Sequence, residues 1–151
     1  MLKLNSILVI LMTFQVIALS ANPDSIQIRD VWISETPPGV SKNAAYLKIE
    51  NTGNKTIILQ SVDSPDFERV EIHRSVVKDD KVSMQLQSEL EIEPHSVFQF
   101  SPGDFHLMLI KPSKRMRSGD ISSLNLNFLT AGKFSVDAEV KKLQSEHAHH
   151  H

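Results

Sequence analysis

Apolar and polar residues alternate with a period of two along most of this chain. The pattern is clearest in Ala44–Glu50 and in Phe105–Ile110. Since successive side chains of a strand point to opposite faces, this period predicts β-strands with one buried face. Further strands are predicted over these segments: Thr56–Val62, Phe67–Val76, Lys81–Gln87, Val97–Ser101, Ser123–Leu129 and Lys133–Val140.

The first apolar series is less regular than the others. Ile26, Ile28, Val31 and Ile33 predict one strand or a bulged pair, because the spacing changes from two to three in the middle. Trp32 is expected in the core or between sheets rather than as a binding platform.

Short turn segments rich in proline, glycine, asparagine and aspartate separate the predicted strands. Examples are Pro37-Pro38-Gly39, Asn51-Thr52-Gly53-Asn54 and Pro102-Gly103-Asp104. No segment shows a sustained helical period with caps. Many short strands at this spacing favour an all-β fold, an antiparallel sandwich or a Greek-key barrel, and the lack of helical crossovers argues against a parallel sheet.

The amino-terminal segment has the composition of a secretory signal peptide. Lys3 precedes an apolar run from Ile7 to Leu19, followed by small residues. We therefore expect residues 1–20 to be removed, although an uncleaved anchor is the alternative. The sequence has no cysteine, so the segment is not expected to act as a lipoprotein signal, and no disulfide or thiol chemistry is available.

The mature chain carries little net charge. Cleavage removes only Lys3 among the charged residues, which leaves 15 lysines and arginines against 18 acidic residues, a formal charge of −3. This balance does not favour binding to nucleic acid or to an anionic membrane surface. Residues 21–142 are expected to form one domain, with no membrane insertion after cleavage.

Two histidines and two methionines are the residues with the most distinctive chemistry. Ten residues separate His73 from Met84, twenty-one separate Met84 from His106, and Met108 follows two positions later. Imidazole nitrogens and thioether sulfurs are neutral donors that suit a soft monovalent ion such as Cu(I). Calcium and magnesium need oxygen ligands, and structural zinc usually needs cysteine or more nitrogens.

Strand geometry would bring two of these residues together. His106 and Met108 would project from one face, with Leu107 and Leu109 on the other, and His73 should face away from Val70 and Ile72. Each residue also has a simpler interpretation. A lone outward histidine is usually solvated, and a methionine flanked by apolar residues on its own face, like Met84, is commonly a core residue. The combination of all four is harder to attribute to chance.

The carboxyl-terminal segment, residues 143–151, is a histidine-rich tail. It is expected to be flexible, and it is either a native metal-collecting arm or the remnant of an expression tag. If native, its imidazoles would suit Cu(II) as a secondary site. The histidines concerned are His147, His149, His150 and His151.

The spacing and framework together resemble the periplasmic copper chaperone family PCu(A)C. The similarity extends over residues 26 to about 140 and includes these landmarks in order: Val31-Trp32, Thr36-Pro37-Pro38-Gly39, Ala44-Ala45-Tyr46-Leu47, Glu50-Asn51-Thr52-Gly53, Val70-Glu71-Ile72-His73, Pro102-Gly103 and Phe105-His106-Leu107-Met108-Leu109. The resemblance implies a cupredoxin-like Greek-key barrel in which His73, Met84, His106 and Met108 bind one Cu(I). Arg74 and Val82 depart from residues common in the family, which bears on affinity rather than on the ligand set.

The resemblance also implies a function and partners. The family carries copper toward the binuclear copper site of cytochrome c oxidase, so the expected acceptor is subunit II of that oxidase or an intermediate thiol chaperone. A periplasmic monomer without enzyme activity is expected. The alternatives are a secreted β-sandwich interaction domain and a periplasmic copper storage or resistance protein. An electron-transfer cupredoxin or a thiol oxidoreductase would need the cysteine that this chain lacks.

Overall fold

The computed structural model describes residues 25–143, and these form an all-β domain, as predicted. The signal peptide and the histidine tail from residue 144 onward, both predicted from the sequence, lie outside the described residues. Within residues 25–143, no helix is long and apolar enough to cross a bilayer. The strands are β1 Ile26–Ser34, β2 Lys42–Asn51, β3 Ile57–Asp63, β4 Phe67–Lys78, β5 Lys81–Gln87, β6 Leu90–Ile92, β7 Ser96–Phe100, β8 Phe105–Pro112, β9 Ile121–Phe128 and β10 Gly132–Lys141.

The strands join into one coiled sheet in the order β5-β4-β8-β2-β1-β10-β9-β3-β6. The first half of β2 pairs with β8 and its second half with β7, so these two strands share one edge of β2. β3 returns to lie against β4, which brings the two ends of the sheet together around a common core. The core is made of alternate residues from the central strands, including Ile33, Leu47, Ile49, Leu107, Leu109, Leu124 and Leu126.

Two pairings differ from the sequence-based expectation. β1 and β10 run parallel to each other. Parallel strands need a long connection between them, and here all the intervening strands of the domain provide it, so no helical crossover is required. β6 was not predicted, since only Leu90 and Ile92 mark it. Both side chains are buried, and Ile92 pairs with Ile57 on β3.

The irregular first strand contains a bulge between Arg29 and Trp32, where Asp30 has a positive φ of 54°. The bulge shifts the alternation by one residue. Ile33 therefore faces the core. Of the two positions expected for Trp32, in the core or between sheets, the first is wrong, since Trp32 is half-buried on the other side of the strand and lies outside the core cluster. Its ring lies on that of Tyr46, with centroids 4.6 Å apart.

Candidate metal centre

Three adjacent strands carry the four predicted ligands. His73 on β4 is paired in register with His106 on β8, and their ring centroids are 5.9 Å apart. Since residues paired across strands share a face, both imidazoles project on the same side of the sheet. Leu107 is fully buried on the opposite side, as the alternation predicted.

The two methionines lie on the same face as the histidines. Met108 is two residues from His106 and pairs with Ala44 on β2. Met84 on β5 is paired with Ser75, which is two residues from His73 on β4. Three of the four predicted ligands line one cavity of about 280 Å³: Met84, His106 and Met108.

Exposure increases from the centre of this face toward the edge of the sheet. His106 is 4% exposed, and the His73 side chain is 14% exposed. Met84 lies on the edge strand and is 55% exposed. It is therefore not a core methionine, because it buries too little surface for packing to explain its position.

The hydrogen bonds of the two histidines fix their orientation and their tautomers. Nε2 of His73 lies 2.8 Å from a carboxylate oxygen of Glu71, and Nδ1 of His106 lies 3.1 Å from the carbonyl oxygen of Asp104. Carboxylate and carbonyl oxygens only accept, so these two ring nitrogens donate. In the neutral imidazoles, Nδ1 of His73 and Nε2 of His106 then carry free lone pairs.

Both of these lone-pair nitrogens are buried and have no hydrogen-bond partner. In residues 25–143, the one other buried side-chain atom without such a partner is Oε2 of Glu50, which forms an ion pair with Arg29. Unpartnered buried nitrogens are costly, and they are rare unless something else binds them. A metal ion that accepts both lone pairs would remove that cost.

Glu71 is itself held in place by a second partner. Nε of Arg69 donates to the other carboxylate oxygen of Glu71 at 2.6 Å. Burial alone would raise the pKa of Glu71, but the hydrogen bonds from His73 and Arg69 outweigh it and lower that pKa below its ordinary value. Glu71 is therefore ionised near neutral pH and remains an acceptor for His73.

The turn before β8 positions the carbonyl group that orients His106. Gly103 has a φ of +85°, a conformation that glycine adopts without strain. The turn is closed by hydrogen bonds between Ser101 and its neighbours Asp104 and Phe105. The Asp104 carbonyl also accepts a bond from the backbone N–H of Ser75, which ties the turn to β4.

The opposite wall of the cavity comes from the start of β2 and the loop before it. Buried Asn43 donates to the carbonyl of Ser34 at 2.7 Å and to the hydroxyl of Thr36 at 2.8 Å. Tyr46 also lines the cavity, and burial raises the pKa of its phenol, so the ring stays neutral there.

The donor set of this face suits a soft cation. Among the residues described, no group of three or more histidine, aspartate or glutamate side chains is arranged to hold a metal. The face instead offers two imidazole nitrogens and two thioether sulfurs, a donor combination that favours Cu(I) over harder ions.

The two groups that orient the histidines, the Glu71 carboxylate and the Asp104 carbonyl, were not predicted from the sequence. Glu71 lies two residues before His73, so the same period of two that grouped His106 with Met108 would have placed it on this face. The Asp104 carbonyl carries no sequence signal, because backbone direction depends on the turn. Arg74 lies on the other face, 5.1 Å above the Phe105 ring, and so does not enter the centre.

Comparisons with known proteins agree with this fold. The LpqE-like family model matches residues 26–140. A protein of Leifsonia xyli subsp. xyli (strain CTCB07), Lxx21020, whose name describes it as a lipoprotein, is 27% identical over 119 residues, which are 78% of this chain and 70% of that protein. The chain therefore belongs to the LpqE-like family, which is of the PCuAC type.

Solved structures show the same architecture. The copper-bound PCuAC domain from PmoF2 is 24% identical and has a TM-score of 0.67, with 79% of this chain and 94% of that domain covered. The CuI-DR1885 protein from Deinococcus radiodurans is 18% identical and has a TM-score of 0.63, with 83% and 82% covered. At these identities the likeness establishes the fold, and the predicted cupredoxin-like class is confirmed.

Proposed function

We propose that this protein is a periplasmic copper chaperone that binds one Cu(I) and passes it on by ligand exchange. The ligands would be Nδ1 of His73, Nε2 of His106 and the sulfurs of Met84 and Met108. The observation that carries the proposal is the pair of buried, unpartnered imidazole nitrogens on a face with two methionines. The names of the copper-bound PmoF2 domain and of CuI-DR1885 support copper as the cargo.

The proposed site would favour the reduced ion. Neutral nitrogen and thioether donors add no negative charge, and thioethers are soft, so Cu(I) is bound in preference to Cu(II). Binding should weaken in acid because protonation removes the lone pairs of His73 and His106, whereas thioether sulfur takes up no proton.

The exposure of the ligands suggests an order of release. Met84 is the most exposed ligand and lies on the edge strand, so an incoming donor would replace it first. His106 is buried and fixed by the Asp104 carbonyl, so it would leave last. Each step exchanges one ligand of this protein for one ligand of the acceptor, which avoids releasing free copper.

We further propose that the acceptor is the copper site of cytochrome c oxidase, reached through subunit II or through an intermediate thiol chaperone. Removal of residues 1–20 would place the mature chain in the periplasm. No enzymatic step is proposed, because the face supplies ligands without a nucleophile or a general base arranged around a substrate. The tail would provide a separate binding site for Cu(II), formed by His147, His149, His150 and His151.

X-ray absorption spectroscopy of the copper-loaded protein tests the ligand set. The spectrum should fit two nitrogen and two sulfur donors around Cu(I), and Met108→Leu should remove one sulfur. Nitrogen-only coordination in the protein without residues 147–151 would contradict the proposal. Absence of any bound copper would favour the alternative of an interaction domain.

A further inference from the structure

The β4–β5 hairpin carries an apolar surface beside the candidate ligands. In register, Val82 is opposite Val77, and Leu86 is opposite His73. Met84 lies between Val82 and Leu86, so all these side chains share the face of the metal centre. We call the four apolar members of this group the apolar ledge: Val77, Val82, Met84 and Leu86.

The ledge is open to solvent. Val77 is 70% exposed, Val82 69% and Leu86 65%, and no part of residues 25–143 packs over them. The other face of β5 is polar, since Ser83 and Gln85 alternate with the ledge residues. Both faces of β5 are exposed, so its apolar face is not needed for packing within the domain. The difference between its apolar and its polar face therefore indicates that the apolar one is covered in a complex.

The position of the ledge connects it to the copper site. Met84 is both a ledge residue and the outermost candidate ligand, so a protein that covers the ledge also covers the point at which copper would leave. The ledge itself contains no charged side chain, and Ser75 between its members is neutral. A complementary surface must therefore be apolar and uncharged at its centre.

The size of the ledge indicates a transient complex. Four partly exposed side chains present a few hundred Å², whereas a stable interface covers about 800 Å² on each partner. A permanent dimer would need a larger surface, but brief docking that exchanges an ion would not.

We propose that the apolar ledge is the docking surface for a copper-exchanging partner, a protein with an uncharged apolar rim around its own thiolate, imidazole or thioether ligands. This inference rests on the proposed chaperone function. Docking places the partner's first ligand next to Met84 and excludes water while the ligands exchange.

The test compares two double variants of the full mature protein. Val82→Ser with Leu86→Ser, the ledge variant, removes two of the four ledge side chains. Val97→Ser with Leu129→Ser, the control variant, removes a valine and a leucine elsewhere that are also more than half exposed, at 56% and 54%. Each Cu(I)-loaded protein is mixed with the apo soluble copper domain of cytochrome c oxidase subunit II. In parallel, copper is withdrawn with the small chelator bathocuproine disulfonate, which needs no docking surface.

The ledge variant should transfer copper to subunit II at least about tenfold more slowly than the parent, which corresponds to about 1.4 kcal/mol. The control variant should match the parent, and all three should release copper to the chelator at the same rate. Equal transfer by ledge variant and parent would overturn the proposal, as would absence of transfer from the parent. Failure of the parent to bind Cu(I) at all would instead overturn the chaperone function.

Discussion

Glu71 and His73 are joined by a hydrogen bond of 2.8 Å between a carboxylate oxygen and Nε2 of the imidazole. This bond leaves Nδ1 of His73 as the nitrogen available to a metal. The two residues lie on one face of β4, and Arg69 holds the carboxylate from its other side. Glu71 thus acts on the proposed copper site through the orientation of its ligand.

Replacement of Glu71 should weaken copper binding without unfolding the protein. Groups that orient metal ligands typically contribute about 10- to 100-fold in affinity, so Glu71→Ala should lower Cu(I) affinity by about that factor. Glu71→Gln keeps an acceptor oxygen and should lose less. Competitive Cu(I) titration measures the effect. Glu68→Gln, an exposed glutamate paired with Lys111, is the control; an equal loss there would contradict the orienting role.

A substitution of Met84 distinguishes a role in metal binding from a role in packing. Because its side chain is 55% exposed, Met84→Leu should leave the midpoint of urea unfolding nearly unchanged while lowering Cu(I) affinity. Met116→Leu is the matched control, since Met116 is fully buried. That variant should alter stability and keep copper affinity. A large loss of stability in Met84→Leu would show that the residue is structural.

Asp63 should make the stability of the fold depend on pH in the acid range. Hydrogen bonds from Asn127 and Asn125, aided by the nearby charge of Lys133, lower the pKa of Asp63 despite some opposing burial. A carboxylate whose pKa is lower in the folded state stabilises the protein above its unfolded pKa of about 3.9, and this contribution is lost as the pH falls through the folded value.

Asp63→Asn should therefore lower the free energy of unfolding at pH 7 by less than about 1 kcal/mol, since the group is exposed. The difference from the parent should shrink below about pH 4. Urea unfolding at pH 7, 5 and 3 measures it, with Asp79→Asn at the exposed hairpin tip as the control. A difference that grows toward acid would refute the assigned direction.

The histidine tail should behave as a site independent of the barrel. Deletion of residues 147–151 should lower the Cu(II) stoichiometry, because it removes imidazoles that suit a divalent ion. Cu(I) affinity should stay the same. Isothermal titration with each oxidation state makes the comparison, and an equal loss of Cu(I) binding would show that the tail contributes to the main site.

The period of two was sufficient to predict most strands and the shared face of His106 and Met108. Their binding of copper stays a prediction. The spacing of three between Ile28 and Val31 already indicated a bulge near Asp30, but the core position expected for Trp32 did not take into account that this bulge turns Ile33 inward instead. β6 was missed since a three-residue strand has too few positions to show a period.

The surroundings of the site depended on long-range pairing. Neither the apposition of His73 and His106 nor the exposure of Met84 follows from local sequence, since strand order decides which strand lies at the edge. The Asp104 carbonyl reaches His106 only because the turn at Gly103 directs the backbone toward the ring. Such contacts need the three-dimensional register.

The most direct test of the chaperone account is an anaerobic Cu(I) competition titration of residues 21–146 under reducing conditions. The same titration is done on a His106→Ala, Met108→Leu double variant whose folding is verified by circular dichroism. We expect the parent to bind one Cu(I) tightly and the folded variant to lose most of this affinity. A folded parent that does not compete for Cu(I), or a variant that binds as tightly as the parent, would contradict it.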